Sequence, residues 1–197
     1  MDFNDILLRV QRMYAAVNEQ VDKEVDKHVN IEATENNSLF HLSFDKNKND
    51  ADIYNKVFSV IDSISKLKDH FKRHLKESGE DDQIVEDAIN KSLHLQLIMD
   101  LSNSDKHTYP LKKTNRSGLE PKLDKIRRVI KMTGHGNGNS GMFCFSTTGD
   151  FKSCGDCGVV IEGEIIDKNG KRILDLTELI SKSVSDWEIL VNQYKII

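Results

Sequence analysis

Nowhere in the 197 residues does an apolar run approach the roughly 20 residues that span a bilayer. No membrane partner is therefore expected. The opening stretch MDFNDILLRV carries acidic residues where a signal peptide would be basic and has no small-residue cleavage site, so a cytoplasmic location is expected. Cysteine is scarce and odd in number, Cys144, Cys154 and Cys157, which argues against a secreted disulfide framework. An excess of positive charge is missing too: 28 Lys and Arg face 32 Asp and Glu, for a net charge of -4. Nothing global draws the chain to nucleic acid, and any such binding would rest on a local patch. Internal repeats and low-complexity tracts are lacking, and the only prolines, Pro110 and Pro121, border one loop.

What is there is a soluble composition, 30% charged with a mean hydropathy of -0.51, on a chain long enough to bury a proper core as one domain. Phe3, Ile6, Leu7, Val10, Tyr14, Val17, Val21 and Val25 recur at helical spacing without a Gly or Pro between them. The pattern predicts a first long helix over about 3–28. His28, on its apolar stripe, reads as a helix-end histidine bonded to a carbonyl. Periodicity weakens from Asn30 to Asp50, where SLFHLSF fits a strand or a helical turn and NKND supplies a helix N-cap. Ile53, Val57, Val60, Ile61, Ile64, Leu67, Phe71 and Leu75 then predict a second helix, 51–78, stopped by Gly79.

A short GEDD turn leads into DDQIVEDAINKSLHLQLIMDLSNSDKH, read as one helix from Asp81 to His107 and antiparallel to the second. At 100° per residue Ile84, Val85, Ala88, Ile89, Leu95 and Met99 share a face. In that register Ser92, Gln96, Asn103, Lys106 and His107 fall on it as well. Buried polar groups without partners cost on the order of 1 to 3 kcal/mol, so this line must satisfy itself or face a wet pocket.

Pro110 ends the helix, and LKKTNRSGLEPKL is a loop. Strand patterns follow at 125–132, 142–148 and 159–167, with Asn169-Gly170 as a hairpin turn into RILDL. Leu176, Leu179, Ile180, Val184, Trp187, Leu190, Val191 and Tyr194 define a last helix, 175–195, with Trp187 as a core anchor. The expected fold is α+β and mainly helical, a four-helix up-down bundle with a small antiparallel β-sheet inserted before the last helix. It forms a single domain over 1–197: three helices in 1–110, the inserted β segment in 111–174 and the final helix in 175–197.

Asn103, Lys106 and His107 are the candidate catalytic residues. Positions i and i+4 lie on one helix face, an imidazole there would serve as general acid or base, and a neighbouring ammonium would offset developing negative charge. The competing reading is a polar network that locks the helix end. Lys68, Lys72, Arg73 and His74 crowd the last turns of the second helix. Opposition to the helix dipole accounts for them, and the alternative is a local cationic patch for RNA. Cys154-Gly-Asp-Cys157 with Cys144 and His135 would supply four zinc ligands, although buried structural cysteines are the commoner case; no metal or other cofactor is called for. Gly134–Gly141, HGNGNS between two glycines, runs into a strand pattern and reads as a hairpin loop rather than a phosphate cradle.

The stretch LHLQLIMDLSNSDKHTYPL, preceded by KLKDHFKRHL, resembles a set of uncharacterised bacterial proteins. These combine a helix ending in Asn-x-x-Lys-His, an inserted β segment and a last helix with a tryptophan. That arrangement is similar to the HEPN superfamily, helical domains of toxin-antitoxin and phage-defence systems, many of them metal-independent RNases. The resemblance implies an RNA-directed module in which His107 is general acid or base, Lys106 contacts phosphate and Asn103 orients the ribose or the histidine. Catalytic members place an arginine before the histidine with four to six residues between the two. Here Asp100, Leu101 and Ser102 hold those places. The alternative from the residues themselves is a non-enzymatic interaction or regulatory protein, with a protein partner or a homodimer, in which the Asn-x-x-Lys-His group is structural.

Overall fold

The most regular apolar spacing in the chain becomes the longest helix among the described residues. In a computed structural model, which describes residues 8, 9, 12, 29–33, 38–42, 50–106, 115–132, 142–145, 151–154 and 157–194, helix α1 spans Asp50–Glu77. It buries Val57, Ile61, Ile64, Leu67, Phe71 and Leu75, one stripe at a 3.6-residue period. Its end is a Schellman turn: Glu80 N–H donates to Leu75 O at 2.8 Å and Gly79 N–H to Lys76 O at 3.1 Å. Gly79 has φ 76°, a conformation that side chains strain to adopt.

The next stretch is not the single helix that its periodicity predicts. Helix α2, Gln83–Lys91, and helix α3, Leu93–Lys106, are separated by one extended residue, Ser92, at φ -107° and ψ 116°. Ser92 breaks the ladder because its hydroxyl has better partners outside it. Leu95 N–H donates to Ser92 Oγ at 3.1 Å, which caps α3. Ser92 Oγ in turn donates to Asp186 Oδ2 at 2.5 Å. Serine competes with a helix in just this way, by offering the backbone a local alternative.

Helix α4, Leu176–Gln193, buries Leu176, Leu179, Ile180, Val184, Trp187, Leu190 and Val191. Helix α3 packs against both α2 and α4. It is buried on more than one side, through Leu95, Leu97, Ile98, Met99 and Leu101, as a central helix must be.

The β segment precedes α4, so the architecture is α+β with the sheet inserted where the strand patterns place it. Strands β1, Val29–Ala33, and β2, Ser38–Leu42, form an antiparallel hairpin in register Ile31↔Phe40. Strand β3, Lys122–Met132, lies in a three-stranded sheet with β6, Cys157–Ile166, and β7, Arg172–Asp175, in the order β3-β6-β7. Strands β4, Met142–Phe145, and β5, Phe151–Cys154, pair separately. The Asn169-Gly170 turn sits where expected: Gly170 has φ 81° and Asp167 Oδ1 accepts the N–H groups of Asn169 and Lys171, each at 2.8 Å.

The chain divides into two compact units. One comprises Met1–Asn18, Tyr54–Ile126 and Gly163–Ile197, and holds the helical core; the other comprises Glu19–Ile53 and Arg127–Glu162. Of the expected first helix, only Leu8, Arg9 and Arg12 are among the described residues, and they are helical. His28, the loop at 134–141 and residues 47–49 lie outside the described residues. Among the described residues no helix is long and apolar enough to cross a membrane.

Candidate functional site

The C-terminal half of α3 lies against the middle of α1, and the polar residues of both meet there. Lys106 Nζ contacts Asp62 Oδ1 at 2.5 Å and donates to Ser102 Oγ at 3.2 Å. Ser102 Oγ also donates to Asp62 Oδ1 at 3.2 Å and lies 2.9 Å from Ser65 Oγ. Lys66 closes the group, its ammonium 2.6 Å from Asp62 Oδ2. Burial pushes the Asp62 carboxyl up, but hydrogen bonds from Lys106 and Lys66 outweigh it and hold the group below its ordinary value. The structure therefore joins Lys106 to Asp62, Ser65 and Ser102. Asn103 is half-buried on the same helix, and His107 lies outside the described residues.

The signal for these partners was present but unassigned. Ser65 and Ser102, 9% and 3% exposed, are small polar residues within apolar helical stripes. Asp100 is the clearest such case, a carboxylate in the run LIMDL and 1% exposed. It accepts hydrogen bonds from Arg116 N–H at 2.7 Å, Ser117 N–H at 2.9 Å and Ser117 Oγ at 2.7 Å. This buried acid pins the segment leading into β3.

The basic residues of α1 are drawn into a second network. Lys68 and Lys72 lie 3.5 and 3.1 Å from Glu86 Oε1. Lys72 and Lys76 lie 3.3 and 3.2 Å from Asp82 Oδ2, and Arg116 Nη1 donates to Glu86 Oε2 at 2.8 Å. Burial raises the Glu86 carboxyl, yet the Arg116 and Lys72 hydrogen bonds pull it down to about 2. Lys68 and Lys72 thus bind α1 to α2. Arg73 is exposed on the same helix and His74 half-buried. One turn before His74, His70 Nδ1 is buried with no hydrogen-bond partner among the described residues. Burial, then the charges of Arg9 and Arg73, lower its basicity.

A recess of about 420 Å³ opens beside the break at Ser92. Ile84, Ala88, Leu95, Ile189 and Leu190 line it together with Asp87, Lys91, Asp186, Gln193 and Tyr194. Its size lies within the range of ligand-binding clefts. Ile189 is 55% exposed, and Leu93, the residue after the break, is 44% exposed. Asp186 is held on one oxygen by Ser92, with His94 Nδ1 3.5 Å away from that same oxygen.

Among the described residues no group of three His, Cys, Asp or Glu is placed to hold a metal. The side chains of Cys144, Cys154 and Cys157, and all of His135, lie outside the described set. Comparison of the chain with protein-family models, with curated proteins and with solved structures finds no match.

Proposed function

We propose that the chain is a non-enzymatic interaction or regulatory module in which the Asn-x-x-Lys-His stretch serves structure. The observation that supports this most is the commitment of Lys106, bound to Asp62 and Ser102 across two helices. An ammonium so held fastens α3 to α1, and its release to a substrate phosphate would leave Asp62 without its closest cation. The recess at Ser92, with its accessible apolar side chains, is then the contact surface. A double-mutant cycle of Asp62→Asn and Lys106→Met tests the structural role. It should give a coupling of about 0.5–1 kcal/mol in chemical denaturation, as for a partly exposed ion pair. A coupling of zero overturns it.

A second reading, an RNA-directed module like the HEPN domains, draws support from the same lysine, whose side chain keeps 45% of its surface exposed and which precedes His107 in the sequence. Structured RNA incubated without metal decides between the two readings. Intact RNA supports the binding module; cleavage that is lost in His107→Ala replaces it with the RNase reading.

A further inference from the structure

We infer that the recess between α2, α3 and α4 receives the lysine side chain of a protein partner, its ammonium at Asp186 and its alkyl stem against Ile84, Ile189 and Leu190. This rests on the reading of the chain as an interaction module and names what that module grips.

Charge complementarity selects the ligand. The lining carries two carboxylates, Asp87 and Asp186, against one ammonium, Lys91. Helices α2 and α4 both bring their C-terminal turns to the recess, with Lys91 and Ser92 at the end of one and Gln193 and Tyr194 at the end of the other. The C-terminal carbonyl groups of α2 and α4 carry partial negative charge and the first turn of α3, capped by Ser92, carries partial positive charge, so the two carboxylates decide the sign of the recess. Asp186 accepts a hydrogen bond from Ser92 through Oδ2, with His94 Nδ1 3.5 Å from that same oxygen. Its Oδ1 accepts no hydrogen bond among the described residues, so the carboxylate is fixed in place by one oxygen and has the other left for a donor. The apolar members of the lining, Ile84, Leu95, Ile189 and Leu190, suit methylene groups. A compact point charge on a flexible apolar stem is the chemistry of lysine.

The probes are hexylammonium, 1-hexanol and hexanoate, which share a chain and differ in the head, followed by methyl and amide NMR of the full chain. Hexylammonium is expected to shift the Ile84, Ile189 and Leu190 signals and to bind about tenfold better than the other two, the margin of one charge-assisted hydrogen bond. Asp186→Asn, which still accepts from Ser92, should remove that margin, and Asp87→Asn, at an exposed position, should reduce it in part. Acetyl-Leu-Lys-Leu-amide should then bind better than the same peptide with norleucine at the centre. Equal binding of the three probes, no effect of Asp186→Asn, or equal binding of the two peptides each overturns the inference. RNA cleavage dependent on His107 would overturn the underlying module reading while leaving a positive hexylammonium result in place, so the two failures are distinguishable.

Discussion

Glu86 is where single-residue chemistry has the largest stake. Its carboxylate meets Lys68, Lys72 and Arg116 with 19% of its side chain exposed, and its affinity for a proton falls to about 2 from 4.5. A carboxyl depressed in the folded state stabilises fully above its unfolded value and loses that contribution as pH falls through the folded one. Glu86→Gln should therefore lower stability at pH 7 by about 1–3 kcal/mol, after allowing for solvent screening. In denaturant titrations at a series of pH values the gap from wild type should narrow below about 4.5 and close near 2. Asp100 makes a related case. With three donors lost at a buried site, Asp100→Ala should cost about 3 kcal/mol by thermal denaturation, with Asp100→Asn costing less. Little of this was legible in the sequence. Lys68 and Lys72 look like a cationic patch when α1 is read alone, because Glu86 and Asp82 sit on another helix. Lys106 stands out on its helix in the sequence, but Asp62, its partner, lies 44 positions earlier, and periodicity along one helix says nothing about such pairs.

Elements were legible where one helix or strand pattern stood clear of its neighbours. The α1 stripe, the Gly79 stop, the Asn169-Gly170 turn and the Trp187 helix all lie within a few residues of their expected places, because local rules decide them. The break at Ser92 was not legible. No Gly or Pro marks it, and what opens the helix is a hydrogen bond to Asp186, 94 positions away. Strands β1, β2 and β5, each of 4 or 5 residues, are too short to show a period. Ser92→Ala measures what the break is worth: it removes a cap and the bond to Asp186, and should cost about 1–2 kcal/mol in urea denaturation. Ser92→Thr, which keeps the hydroxyl, should recover most of it.

For the molecule as a whole, Trp187 is a built-in reporter. It is the sole tryptophan, fully buried, and its Nε1 has no hydrogen-bond partner among the described residues. Its fluorescence should shift to the red in one transition that coincides with loss of helical circular dichroism, since α1, α3 and α4 contribute to a common helical core. Two separated transitions would show that the core does not unfold cooperatively. Trp187→Ala should remove about 3–5 kcal/mol, a large share of the roughly 5–15 kcal/mol typical of a folded protein.

Strands β3 and β6 are clasped by two ion pairs, Lys125 with Glu164 and Arg127 with Glu162. The indices rise by two on one strand and fall by two on the other, as antiparallel pairing requires, so each carboxylate of β6 faces a cation of β3. Both pairs lie at the surface, so added salt should loosen this clasp while leaving the buried helical packing untouched.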